Sequence, residues 1–457
     1  MAITLSQHFT FKKLIKFVYP AVIMMVFTSI YGVIDGIFVS NFAGETAFAA
    51  VNLIMPVLMG FASFGFMIGA GGSALISKTL GEGDVKKARG IFSLLVYATI
   101  VLGAVMTVVG IFTLRPLAIL LKAEKEGILN ECLLYGFVNM CGMTLFMLQN
   151  VFQSFFALAE KPKLGLAVIV AAGVTNAILD AVLVAGFKLG LLGAALATIT
   201  GQAVGAVTPV LYFTLNRKGT LFLGKPLLKI SPLLKTCLNG SSEMMTQLSL
   251  SLVGILYNYQ LISFAGRDGV EAYGVIMYVS FIFCSIFIGY SVGVTPIIGF
   301  NYGAGNKKEL NNVLKKSLII IAICSAAMLT LSLALNYPLP YIFVSRNADL
   351  LAMTRRGFFI CAFIFAIMGF NIFGSAFFTA LNNGLVSALI SFLRTLLFQV
   401  ICVMCLPLLW GLDGVWSANV FAELAALIVT FVLFMCHRKK YGYFIKDIPQ
   451  TDDELSK

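Results

Sequence analysis

The sequence predicts an all-α integral membrane protein of twelve transmembrane helices, built as two six-helix lobes related by a pseudo-twofold axis along the membrane normal. Composition is the first observation behind this prediction. Of 457 residues, 60% are hydrophobic and 11% are charged, which lies far from the composition of soluble domains. The second is a repeat of the chain against itself at a spacing of 222 residues, which divides the apolar segments into two equal sets.

Twelve mainly apolar segments are each long enough to cross about 30 Å of hydrocarbon at about 1.5 Å per helical residue. We number them spans 1 to 12, and they lie at 14–40, 46–77, 90–114, 129–157, 164–187, 190–215, 237–264, 271–300, 314–336, 351–380, 385–409 and 412–436. The first run is too long for a cleaved signal peptide and lacks a small-residue cleavage site. We therefore expect it to remain as span 1.

The repeat aligns long stretches of the two halves without a gap. "GETAFAAVNLIM" (44–55) falls on "GRDGVEAYGVIM" (266–277), and "GEGDVKK" (81–87) falls on "GAGNKKE" (303–309). Because six spans is an even number, both copies enter the membrane in the same direction, so their symmetry axis runs along the membrane normal. Secondary transporters use this arrangement with the substrate site between the lobes, and rocking of the lobes gives alternating access.

The net charge of +12, from 32 basic and 20 acidic residues, sets the orientation. The basic residues are concentrated in alternate loops, at 12–16, 78–89, 161–163, 217–235, 307–316 and 438–446. By the positive-inside rule both termini are cytoplasmic, and the protein is a multi-pass protein of the cell (inner) membrane. The predicted domains are an N-terminal lobe at 1–215, a cytoplasmic linker at 216–236, a C-terminal lobe at 237–440 and a cytoplasmic tail at 441–457. The charge then needs no nucleic-acid partner.

The sequence offers little for metal, cofactor or enzyme chemistry. Cys402 and Cys405 have C-x-x-C spacing, but they lie on a membrane segment with no partner pair or histidine nearby, so we expect packing. His8 and His437 lie outside the spans. No phosphate loop, metalloprotease helix or serine elbow is present in the sequence. We expect no enzyme activity and no cofactor beyond a coupling ion.

Ionisable residues inside the spans are functional candidates, because a charge at a helix centre costs about 2.5–3.5 kcal/mol on insertion scales. The clear ones are Asp35 in span 1, Asp180 in span 5, Arg394 in span 11 and Glu423 in span 12. Glu243 lies near the inner start of span 7.

Helical rise places several polar residues of the N-terminal lobe at one depth. Asp35 and Asp180 both fall about 8–11 Å below the outer surface, and Asn176 shares a helical face with Asp180. Tyr135 in span 4 and Thr198 in span 6 reach a similar level. We hypothesise one outer-half pocket that contains all five. Two carboxyls in such a pocket titrate as a coupled unit, which suits a proton relay, and the same oxygens suit Na⁺. The alternative is a polar cluster that only fixes helix packing.

The same estimate predicts that Arg394 and Glu423 lie at similar depth and pair, because an unpaired charge there costs far more. Two roles remain open for this pair. It is a structural bridge of the C-terminal lobe, or it takes part in gating or substrate contact.

The sequence resembles the MATE (multidrug and toxic compound extrusion) family over essentially its whole length. The residues that carry the resemblance are Pro20 and Asp35 with "VSNFAGETAFAAV", "TNAILD" (175–180), "GLLGAALAT", and "GFNYGAGN" (299–306). "NGSSEMMTQLS" and "SFLRTLLFQ" with "GLDGVW" resemble most the DinF-like and MepA-like group of Firmicutes.

The resemblance implies the MATE/MOP superfamily fold and a V-shaped antiporter that expels amphipathic, often cationic, drug-like compounds against an H⁺ or Na⁺ gradient. It also implies that Asp35, Tyr135, Asn176, Asp180 and Thr198 form the coupling site, and that Pro20 marks a point of bending linked to protonation. The NorM-like branch has acids in spans 7 and 10, whereas the middle of span 7 has none here and Asn371 stands at the span 10 position. Sodium coupling in the C-terminal lobe is therefore not expected.

Two other functions stay open at this point. One is a flippase for a lipid-linked saccharide or another amphipathic lipid, although the extra spans and cationic cavity typical of such proteins are not evident. The other is a non-transporting membrane receptor or scaffold, which would explain the spans but not the repeat with clustered acids. The expected partners are the bilayer and small amphipathic substrates, which we expect to meet a Phe- and Met-rich cleft, and the expected state is a monomer.

Overall fold

The protein folds into helices along its whole described length. The structure, a computed structural model, describes residues 4–344 and 347–444, and those ranges contain no strand. Eleven helices and one bent pair there are long and apolar enough to cross a membrane, which confirms the predicted count when the pair is one span. In order they are Phe11–Ala43, Thr46–Gly81, Val85–Leu120, Leu129–Cys141 with Met143–Leu158, Pro162–Gly186, Gly190–Leu215, Ile230–Gly266, Asp268–Gly303, Lys307–Ala334, Ala348–Ala380, Gly384–Trp410 and Leu412–Tyr441. The predicted tail lies outside the described residues from 445 onward.

Spans 1 to 6 form the N-lobe and spans 7 to 12 the C-lobe. Because successive spans alternate in direction, the N-terminus, the connection between the lobes and the end of span 12 share one side, which we call the terminal face. A short helix, Pro338–Val344, follows span 9 on the opposite side.

Span 4 differs from the predicted single segment at 129–157. Its two halves meet at an angle of 58°, with Gly142 at the break. A Cβ atom on Gly142 would lie 2.7 Å from Ile199 Cγ1, so span 6 packs directly on this point. The weak helix propensity of glycine permits the bend, and contact with span 6 stabilises it.

The predicted linker at 216–236 is too long, because the helix of span 7 begins at Ile230 and not at 237. Pro232 lies in the first turn of that helix, where a missing N–H costs no hydrogen bond. At the far end, span 7 passes into span 8 through Gly266, whose φ of 61° and ψ of −146° suit glycine alone. The connection between these two spans is therefore a sharp turn.

The repeat is visible in helix starts that are 222 residues apart. Asp84 caps span 3 by accepting a hydrogen bond from Lys87 N at 2.9 Å, and Asn306 caps span 9 by accepting one from Glu309 N at 3.0 Å. Both side chains satisfy a backbone donor that the helix leaves without a partner. The two lobes thus use the same local device at equivalent positions.

The lobes touch through glycines in the half of the membrane nearer the terminal face. A Cβ atom on Gly81 of span 2 would lie 2.0 Å from Phe300 O, and one on Gly303 of span 8 would lie 2.0 Å from Lys78 O. A Cβ on Gly289 of span 8 would lie 2.6 Å from Val22 Cα of span 1. These backbone contacts leave no room for side chains, as is common where membrane helices approach closely.

Residues 4–10, which we call the N-terminal strap, connect the lobes across the terminal face. Leu5 N donates to Glu160 Oε1 at 2.7 Å, on the N-lobe side. Phe9 N donates to Glu309 Oε1 at 2.9 Å, on the C-lobe side. Leu5 and Phe9 are buried, so the strap is held by apolar packing as well as hydrogen bonds.

Candidate functional site

The two N-lobe carboxyls lie where their helices change winding. Span 1 turns from α-helix to π-helix at Val39–Ala43, shortly after Asp35, and span 5 does so at Asp180–Gly186, with Asp180 as its first residue. Short π-helical segments are frequent at functional sites because they widen a helix locally and redirect side chains. Asp35 is 9% exposed and Asp180 is fully buried.

Spans 1 and 5 approach closely just below these acids. A Cβ atom on Gly173 would lie 2.5 Å from Phe27 Cε1 and 3.1 Å from Tyr31 Cδ1, so the glycine lets span 1 pack against span 5. The Asp35 carboxyl consequently interacts with the Asp180 carboxyl and with the Asn176 side chain. Asn176 is also buried.

Tyr135 and Thr198 complete the predicted group. Tyr135 is fully buried, and its hydroxyl faces Thr198 and both carboxyls. Thr198 Oγ1 donates to Ala194 O at 3.0 Å, which fixes the hydroxyl along span 6. The structure therefore brings together all five N-lobe residues that the sequence grouped.

Three further polar residues, which the sequence analysis missed, belong to the same cluster. Tyr31 interacts with Gln149 and with Asp35, and Asn139 lies beside the Tyr135 hydroxyl. A signal for two of them was present, because Tyr31 precedes Asp35 by four residues and Asn139 follows Tyr135 by four, which places each pair on one helical face. Gln149 had no such signal, since it lies beyond the bend of span 4.

Several oxygen atoms in this cluster have no hydrogen-bond donor among the described residues. They are Asp35 Oδ1, both carboxyl oxygens of Asp180 and the Tyr135 hydroxyl, all buried. The side chains thus lie close together but do not supply hydrogen bonds to these oxygen atoms. Buried carboxyl oxygens without a donor are costly, so a proton or a small hard cation shared between them would lower the free energy of the site.

The predicted C-lobe pair forms. Arg394 Nε donates to Glu423 Oε1 at 2.7 Å, with Arg394 in the π-helical segment Leu393–Leu397 and both side chains buried or nearly so. Asn371 Nδ2 donates to Glu423 Oε2 at 2.7 Å and to Glu423 O at 2.8 Å. Both oxygens of the buried glutamate therefore have donors, unlike those of Asp180.

Glu243 and Pro20 occupy positions next to these clusters. Glu243 of span 7 interacts electrostatically with Arg394, so the arginine faces two carboxyls. Pro20 is buried inside the helix of span 1, and the contact of Gly289 with span 1 is made by the next two residues, Ala21 and Val22. A proline inside a helix removes one backbone hydrogen bond, which makes this point easy to bend.

The described residues contain no group of three or more His, Cys, Asp or Glu side chains that could hold a metal ion. The two membrane clusters are thus built from carboxyl, amide and hydroxyl groups with one arginine. Those groups can exchange protons or hold a monovalent cation, but they do not form a site for a structural transition metal.

Twelve spans in two repeated lobes, with ionisable clusters inside the membrane, define a multi-pass membrane protein of the secondary-transporter class. The MatE family model matches residues 20–182 and 243–404, once in each lobe. The chain belongs to the MatE family. The resemblance seen in the sequence is thereby confirmed, and so is the fold.

Known proteins of this family are similar over nearly the whole chain. Multidrug export protein MepA of Staphylococcus haemolyticus (strain JCSC1435) is 23% identical over 427 residues, which cover 93% of each chain. The MepA of Staphylococcus saprophyticus is 24% identical over 434 residues, 93% of this chain and 94% of that one. A solved multidrug resistance MATE family transporter of the MOP superfamily, in an outward-facing conformation, has a TM-score of 0.87 at 22% identity over 95% of this chain and 97% of that one.

Proposed function

We propose that this protein is a secondary active multidrug exporter, which expels amphipathic, often cationic, compounds in exchange for H⁺ or Na⁺. The family and the relatives named for multidrug export support the substrate class. The buried carboxyl pair of Asp35 and Asp180, with oxygens that lack donors, is the observation that supports ion coupling. We infer transport and not catalysis.

The coupling step follows from the chemistry of this pair. Two facing carboxylates in a buried site repel each other, and neither has a basic side chain among its interacting groups. Binding of one H⁺, or of one Na⁺ with the Asn176, Tyr135 and Thr198 oxygens, removes that repulsion. Spans 1 and 5 can then close around the ion, and a ligand that prefers one arrangement shifts the population toward it.

The contacts between the lobes indicate on which side of the membrane the coupling ion binds. The concentration of basic residues in alternate loops supports a cytoplasmic terminal face, with both termini on that side of the cell membrane. The tight glycine contacts then close the cytoplasmic half, whereas a Cβ atom on Gly32, Gly254 or Gly274 would meet no atom within 4 Å. We infer an outward-open arrangement, in which ion binding at Asp35 accompanies release of the exported compound. Pro20 gives span 1 a place to bend.

The substrate surface would be the Phe- and Met-rich cleft between the lobes, because flexible thioethers and aromatic faces accept many shapes. The Arg394–Glu423 pair has full hydrogen bonding, so we assign it a structural role in the C-lobe. The protein would act as a monomer, since each chain contains both lobes and the coupling site.

Ethidium efflux tests the function. Cells that express the protein should export ethidium faster than cells without it, and collapse of one of the two gradients, proton or sodium, should abolish the difference. The ionophore that does so names the coupling ion. Background efflux under every condition, with the protein present in the membrane, would contradict the proposal and would make lipid-linked saccharide flipping the next assay.

A further inference from the structure

A basic cavity of about 660 Å³ opens on the terminal face, away from the coupling site. Its walls are the end of span 2, the turn and first residues of span 3, and the segment 225–235 that leads into span 7. The cavity therefore contains parts of both lobes. The connecting segment is held in place by Leu227 N, which donates to Gly90 O at 3.0 Å.

The lining is strongly cationic. It contains two carboxylates, Glu82 and Asp84, and six lysines: Lys78, Lys86, Lys87, Lys225, Lys229 and Lys235. Both acids are engaged, since Glu82 lies 3.8 Å from Lys78 and Asp84 caps span 3. Within the described residues, the other five lysines have no carboxylate within 4.0 Å. The cavity thus has the charge of an anion site without its own counter-ions.

The repeat provides an internal comparison. The C-lobe positions equivalent to Lys87 and Gly90 are Glu309 and Asn312, which lie 222 residues later. There, Glu309 accepts from Phe9 N and Asn312 Nδ2 donates to Phe9 O at 3.1 Å, so the N-terminal strap fills the space. In the N-lobe the glutamate is a lysine, and the segment equivalent to the strap, 226–232, packs at Gly90 through Leu227, while Lys87 lines the cavity beside it. The two lobes therefore differ here in charge: the C-lobe has an acid that accepts from the strap backbone, and the N-lobe has a lysine that lines the cavity.

Three exposed apolar side chains adjoin two of these lysines in the sequence. Leu228 is 85% exposed, Ile230 73% and Leu234 54%, and they are interleaved with Lys229 and Lys235. Basic and apolar residues in alternation are typical of a segment at the bilayer surface, where phosphates and acyl chains lie side by side. A soluble anion would gain nothing from these three side chains.

We propose that this cavity binds the phosphate group of an anionic phospholipid. The lysines neutralise the phosphate, and the acyl chains pass along Leu228, Ile230 and Leu234 into the membrane. Because both lobes contribute to the walls, the bound lipid stabilises the conformation in which they meet at the terminal face. This site is independent of the proposed export function.

Native mass spectrometry of the full-length protein, titrated with phosphatidylglycerol or phosphatidylcholine, tests the site. A variant with Lys86, Lys87, Lys229 and Lys235 changed to Gln should lose about tenfold in affinity for phosphatidylglycerol, and little for phosphatidylcholine. The matched control changes Lys12, Lys13, Lys307 and Lys308 to Gln, which removes the same charge from the same face. It should keep its affinity. Equal losses in both variants would show general surface attraction and overturn the proposal.

Two further measurements keep the test decisive. Lys87→Glu introduces the residue found at the equivalent C-lobe position, so it should fold and still weaken binding of phosphatidylglycerol. Phosphatidylglycerol should raise the melting temperature of wild type and not of Lys87→Glu. If soluble glycerol phosphate gives the same stabilisation at equal phosphate concentration, the lipid assignment is wrong and the ligand is a soluble phosphate.

Discussion

Gly81 at the end of span 2 and Gly303 at the end of span 8 lie against each other's helices. Each glycine contacts the backbone three residues before the other glycine, so the two helix ends meet without an intervening side chain. Gly81 approaches Phe300 O and Gly303 approaches Lys78 O, and both pairs are related by the 222-residue repeat. This close contact between the lobes at the terminal face therefore follows the pseudo-twofold symmetry of the fold.

Gly303→Ala should weaken this contact. The added Cβ would lie 2.0 Å from Lys78 O, so the helices must separate, and overpacking of this kind costs about 1–3 kcal/mol. We expect a lower melting temperature of the purified protein. Gly254→Ala, in span 7, adds the same methyl group where no atom lies within 4 Å and should leave melting unchanged. Equal melting temperatures for the two variants would contradict the predicted packing.

Arg394→Met should destabilise the C-lobe, because it leaves a buried carboxylate without its cation, a loss of about 3–5 kcal/mol. Adding Glu423→Gln should restore much of the stability, since the amide oxygen can still accept from Asn371 and position 423 then carries no charge. Thermal unfolding of wild type, the single variant and the double variant measures the coupling. A double variant less stable than Arg394→Met would argue against a structural role for the pair.

The Glu160 contact predicts a pH dependence on the terminal face. Burial raises the pKa of Glu160 above its usual 4.5, and this outweighs the lowering effects of Leu5 N and Lys161. A raised pKa means that ionisation costs stability, so this contribution is favourable at low pH and is lost as pH rises through the raised value.

Glu160→Gln should therefore be at least as stable as wild type at pH 7, because the amide oxygen still accepts from Leu5 N and no charge is buried. The difference should disappear below the usual value of 4.5. Glu126→Gln, at an exposed glutamate, is the control. The measurement is the melting temperature of wild type and both variants from below pH 4.5 to pH 7. If Glu160→Gln is less stable than wild type at pH 7, the ionised carboxyl is favourable and the prediction is wrong.

Hydropathy and helical rise were enough to predict the spans and the Arg394–Glu423 pair. Both depend on distance along the helix axis, which helical geometry sets at about 1.5 Å per residue. The hydrogen bonds from Asn371 to Glu423 depend on how span 10 is rotated about its axis, and the depth of a residue in the membrane does not determine that rotation. Tyr31 and Asn139 could have been found from their spacing to Asp35 and Tyr135.

The bend of span 4 and the contacts of the N-terminal strap could not be predicted from the sequence. Gly142 does not differ locally from Gly103 or Gly173, which also lie against neighbouring spans but in continuous helices. Nothing in the sequence around Glu160 and Glu309 indicates their contacts with the strap. The partner of Glu160 is Leu5, at the other end of the N-lobe sequence, and the partner of Glu309 is Phe9, in the other half of the chain. Such contacts depend on tertiary packing.

The most direct test of ion coupling at Asp35 is transport in proteoliposomes, with a proton or sodium gradient imposed in turn. Wild-type protein should move ethidium in response to one of the gradients. Asp35→Asn should fall to the background of empty liposomes, while Asp349→Asn, at an exposed aspartate on the opposite face to the termini, should match wild type. Gradient-driven transport by Asp35→Asn at the wild-type rate would contradict the account.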